Sequence, residues 1–80
     1  MDSQELRHVV AQNIRGLAEN KGISLNALAD FAGVSRAQLY AVLAESAAPT
    51  TDWLAKVAAV LEVDPARLFV APTATKSRHD

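Results

Sequence analysis

Residues 24–43 read SLNALADFAGVSRAQLYAVL. Two short apolar patterns flank a single Gly in this stretch. Leu25, Leu28, Ala29 and Ala32 recur at helical spacing behind Ser24, and Leu39, Val42 and Leu43 do so behind Ser35. Each Ser stands where a side-chain oxygen caps the free N–H groups of a helix start. Only Gly33-Val34 lies between the two segments. Gly33 supplies the φ > 0 conformation that a side chain would penalise, and Val34 can drop into the core beneath the turn. So short a connection forces the helices to cross steeply.

Upstream, Asp2 and Glu5 have the spacing of a capping box. Leu6, Val9, Val10, Ile14 and Leu17 then predict an amphipathic helix over about residues 4 to 20, stopped at Asn20-Lys21-Gly22. Downstream, Ala47-Ala48-Pro49-Thr50 reads as a loop. Thr50 or Thr51 caps a fourth helix carrying Leu54, Val57, Ala58 and Leu61, and Asp64-Pro65 opens a short fifth helix running to about Phe69. From Pro72 the segment PTATKSRHD has no apolar periodicity and reads as a disordered tail. The expected fold is therefore all-α: five helices in one domain over residues 1–71, with a tail over 72–80. The central pair has the form of a helix-turn-helix.

With 80 residues, half of them hydrophobic and none of them Cys, the chain must rely on an apolar core. The lack of Cys fits a reducing compartment. No apolar run approaches the roughly 18 residues of a membrane span, and MDSQELRH lacks the apolar stretch of a secretory signal. A cytoplasmic protein without membrane contact is expected. His8 and His79 are the only histidines and are not spaced for a metal; no Gly-rich phosphate loop is present. The reading is of no enzyme, no cofactor, no metal and no small-molecule substrate. A formal net charge of −1 is unusual for a binder of phosphates, yet one face can carry binding in so small a domain.

Lys21-Gly22-Ile23-Ser24, Leu28-Ala29, Ala32-Gly33-Val34-Ser35-Arg36, and then Leu39 and Val42 resemble the helix-turn-helix of the Cro and phage-repressor (Xre-like) family. Pro49-Thr50 through Leu54, Val57-Ala58, Leu61, Val63 and Leu68-Phe69 resemble its fourth and fifth helices, so the likeness spans roughly residues 6 to 70. The resemblance implies a compact five-helix, lambda-repressor-like domain from a bacterium or phage, acting as a sequence-specific transcriptional regulator at the nucleoid. Its third helix, about residues 35–44, would lie in the major groove of double-stranded DNA, and a homodimer would read half-sites ~34 Å apart.

The resemblance puts base reading at Arg36, Ala37, Gln38, Tyr40 and Ala41. Arg36 suits the O6 and N7 of guanine, Gln38 adenine or a phosphate, and the two alanines a thymine methyl. Tyr40 reads equally as a residue packed on a neighbouring helix, and Gln38 as plain surface. Backbone contacts fall to Ser24 and Ser35 at helix N-termini, with Lys21, Arg15, Thr50 and Thr51 in support. Lys76 and Arg78 in the tail would add non-specific attraction.

The sequence departs from the family pattern in three places. Leu25 stands where Gln is usual, and Ala18 and Leu43 replace a frequent Arg–Glu pair, an exchange that can be neutral for the fold. The loop Ala44-Glu45-Ser46-Ala47-Ala48 holds an acid and no cation. Either it faces away from DNA or binding leans on dimerisation. The dimer surface is expected around Trp53, Val63, Leu68, Phe69 and Val70, with Trp53 equally readable as core. The alternatives are a protein-interaction module that has kept the fold and lost DNA, or a DNA-binding antitoxin. Residues 34–44 contain Arg36 and no acid, which favours DNA.

Overall fold

The first helix starts where the capping box places it. Asp2 Oδ1 accepts from the Glu5 N–H at 2.8 Å, and Glu5 Oε1 accepts from the Asp2 N–H at 3.0 Å. The computed structural model describes residues 1–71, and in it α1 runs Ser3–Lys21. Gly22 closes it with φ 76°, in the left-handed region open to Gly. Then follow α2 (Leu25–Ala32), α3 (Arg36–Leu43), α4 (Thr51–Leu61) and a 3₁₀ helix (Pro65–Phe69). Ser24, Ser35 and Thr50 cap α2, α3 and α4 through their hydroxyls. The expected tail, 72–80, lies outside the described residues.

The expected fifth α-helix is replaced by the 3₁₀ helix of five residues. Pro65 starts it as anticipated, but Asn13 on α1 ends it. The Asn13 amide donates to the carbonyls of Leu68 and Val70, both at 2.7 Å, and Val70 is extended with φ −87° and ψ 124°. Those carbonyls find their donor outside the segment, so no further helical turn is needed to satisfy them.

Ile14, Leu28, Leu39 and Leu68 are fully buried, bringing α1, α2, α3 and the 3₁₀ helix onto one core. Each such side chain contributes roughly 1.5–3 kcal/mol by burial. α4 packs on α2, while α3 lies against α1 and α2. Ala18 and Leu43 both belong to this core, so the positions of the family's ion pair are apolar packing here. Trp53 and Leu68 are core too, at 4% and 0% exposure, which removes them from the expected dimer surface. Val34 is half-buried against the core, and Leu6 is exposed on the first turns of α1. Among the described residues no helix is long and apolar enough to cross a membrane.

Candidate nucleic-acid interface

Between α2 and α3, Gly33 adopts φ 72°, and Ser35, extended at φ −70° and ψ 137°, is the next cap. The Val34 N–H bonds back to the Ala29 carbonyl at 3.0 Å, fixing the turn. Leu39, Val42 and Leu43 point α3 into the core. Arg36, Ala37, Gln38 and Tyr40 are exposed on it, and Ala41 is half-buried. These five thus lie on one short helix.

Two of them are tied to α2. Arg36 Nε and Nη2 donate to Asp30 Oδ1 and Oδ2 at 3.2 and 2.7 Å. The hydrogen bond from Arg36 holds the Asp30 carboxyl below its usual value. The Tyr40 hydroxyl donates to Asn26 Oδ1 at 2.7 Å. Tyr40 therefore both packs toward a neighbouring helix, as one reading of the sequence held, and remains 45% exposed. Asn26 and Asp30 were missed by sequence reasoning. A signal existed: they are spaced i, i+4 on α2, as Arg36 and Tyr40 are on α3.

The expected backbone contacts divide. Ser24 Oγ accepts from the Ala27 N–H and Ser35 Oγ from the Gln38 N–H, each at 3.0 Å. Neither α2 nor α3 has an acid in its first turn, whereas α1 has Glu5 and α4 has Asp52. The positive ends of α2 and α3 are thus free of any carboxylate from their own first turns. Arg15 and Ser24 line the same open groove with Ile23 and Leu25, and the acid Glu19 of α1 lines it too. Lys21 pairs with Glu62 at 2.6 Å. Thr50 Oγ1 caps α4 on the Trp53 N–H at 3.1 Å, and Thr51 lines a separate groove with Ser3, Leu6 and Pro49.

Glu45, the acid that sequence reading singled out after α3, is folded back onto α1. Its Oε2 lies 2.7 Å from His8 Nδ1, and Gln4 Nε2 donates to Oε1 at 3.3 Å. The His8 hydrogen bond lowers the Glu45 pKa. Its carbonyl accepts from Arg7 Nη1 at 3.4 Å, and its φ of 64° makes the chain turn there. The acid in the loop is engaged by α1.

The profile of the helix-turn-helix family HTH_3 matches residues 14–68. The chain is similar to a hypothetical transcription factor, NHTF, from Neisseria: 32% identity over 99% of this chain and 91% of that one, TM-score 0.86. It is also similar to the restriction-modification controller protein C.AhdI from Aeromonas hydrophila, at 27% identity over 79% of this chain and 96% of that one, TM-score 0.75. An HTH_3 family transcriptional regulator from Vibrio cholerae is 28% identical over 99% of this chain and 45% of its own length, TM-score 0.81. No curated protein matches.

Proposed function

The chain belongs to the helix-turn-helix family HTH_3, and from that premise we propose that it is a sequence-specific transcriptional regulator of double-stranded DNA. It is not an enzyme. In this reading α3 enters the major groove, α2 crosses the backbone, and residues 1–71 form the DNA-binding domain. Arg36, Ala37, Gln38, Tyr40 and Ala41 read bases. Ser24, Ser35 and Arg15 meet phosphates near the N-termini of α2 and α3, whose own first turns carry no acid.

The observation that carries the reading is the face of α3. Arg36, Ala37, Gln38 and Tyr40 are exposed together, and Glu45 is withdrawn onto α1. Two structural neighbours described as a transcription factor and a transcriptional regulator support it. A homodimer would supply the second half-site. Phe69 and Val70 support this, since they are 40% and 42% exposed on the side of the 3₁₀ helix. A cytoplasmic site of action, where the DNA is, follows from this reading.

The test is a salt series of binding to DNA upstream of the chain's own gene. A regulator prefers that DNA over unrelated duplex and loses affinity steeply as salt rises. Arg36→Ala costs roughly 1–3 kcal/mol of discrimination at one base pair. Equal binding to every duplex, or none, overturns the reading.

A further inference from the structure

Asp30 and Arg36 each sit at the wrong end of their helix. Asp30 lies in the last turn of α2, where partial negative charge gathers, and Arg36 opens α3, where partial positive charge gathers. A local rule broken at a proposed contact surface is a mark of function. Their pair is more than half exposed, at 55% and 56%, so its net worth to the fold is small.

The geometry of the pair explains what it does. Asp30 takes the Nε–Nη2 side of the guanidinium. The planar group has further N–H donors, and those at its Nη1–Nη2 end point away from the bound carboxylate. That end is the fork that meets O6 and N7 of guanine. We infer that Asp30 is a specificity-determining positioning residue: it clamps the inner edge of Arg36 and presents the outer edge to a guanine in the groove. Without the clamp, Arg36 is a flexible cation free to settle on a phosphate, which carries no sequence information. The inference rests on the DNA-binding reading and adds a residue that touches no base.

The experiment is selection from a randomised duplex library by the full chain, followed by affinity measurements on the selected site and its single-base variants. Wild type, Asp30→Ala, Asp30→Asn, Arg36→Ala and the Asp30→Ala/Arg36→Ala double variant are compared. Wild type selects a site with one strongly preferred guanine that Arg36→Ala no longer requires. Asp30→Ala lowers the preference for that guanine about tenfold, while affinity for unrelated duplex does not fall, since a negative charge has been removed. Asp30→Asn, which can hold one edge donor without charge, keeps part of the preference. In the Arg36→Ala background, Asp30→Ala changes nothing further. Should Asp30→Ala leave the guanine preference intact, or tighten the selected site, Asp30 is not the clamp. An equal effect of Asp30→Ala with and without Arg36 overturns it as well. A wild type that selects no site takes down the DNA-binding reading itself, and this one with it.

Discussion

Tyr40 Oη lies 2.7 Å from Asn26 Oδ1, one helical turn further along α3 and one turn back along α2 from the Arg36–Asp30 pair. The two pairs are parallel rungs between the helices. Together they join the polar side of α2 to the outward face of α3, while Leu28 and Leu39 of the same two helices are buried in the core.

Tyr40→Phe removes one rung without emptying space. The side chain is 45% exposed, so the expected loss is below about 1 kcal/mol of unfolding free energy in urea. Asn26→Ala costs a similar amount. Since the two changes delete the same bond, the double variant loses less than their sum. Fully additive losses would mean that the rung does not form in solution.

Asn13 is the one buried polar residue in the core of the described chain, at 4% exposure. It alone ties α1 to the carbonyls that end the 3₁₀ helix. Asn13→Ala strands those carbonyls, and a loss of roughly 1–3 kcal/mol is expected. Asn13→Asp is worse at neutral pH, because an ionised carboxylate only accepts and here meets other acceptors. Its deficit relative to wild type shrinks as pH falls and the introduced acid takes up a proton. Denaturation midpoints of both variants at neutral and acid pH check this.

Asp30, Glu45 and Glu62 are all held below their ordinary carboxyl values, chiefly by hydrogen bonds from Arg36, His8 and Lys21 respectively. A depressed folded-state pKa gives stability that is complete above the unfolded value and is lost as pH falls through the folded one. The urea midpoint should therefore decline below the usual carboxylate range, about pH 4. In Asp30→Asn/Glu45→Gln/Glu62→Gln the slope of that decline is shallower. An unchanged slope would show that these exposed pairs do not contribute.

Gly33 and Glu62 occupy the same left-handed region, with φ of 72° and 62°. A Cβ on Gly33 meets nothing within 4 Å, so Gly33→Ala costs only backbone strain, about 1 kcal/mol. Glu62→Gly relieves that strain at the end of α4 and gives up only the exposed contact to Lys21; the melting temperature should rise. Glu45→Gly, at φ 64°, relieves the same strain but also removes the contacts to His8 and Gln4, so it gains less. Thermal unfolding of the three variants gives the order.

Four helices and their caps were legible from residues close in the chain. Asp2 and Glu5, Ser24, Ser35 and Thr50 act within three residues of themselves, and the apolar periods of α1 to α4 are local patterns. The fifth helix was misjudged because what ends it, Asn13, lies 55 residues before the carbonyl of Leu68. Trp53 was ambiguous for a related reason: a large apolar side chain on a helix is consistent with core or with interface until its neighbours are placed.

The sequence by itself determined the helices, the Gly33 turn and the residues that α3 carries, since each rests on hydrogen bonds and periodicity spanning a few positions. Only the tertiary structure decided what those residues meet. Arg36 reaches Asp30 across 6 positions, Tyr40 reaches Asn26 across 14, His8 reaches Glu45 across 37 and Lys21 reaches Glu62 across 41. Separations of that kind are closed by packing α1, α2, α3 and α4 on a shared apolar core, which sets the angle at which each polar face emerges.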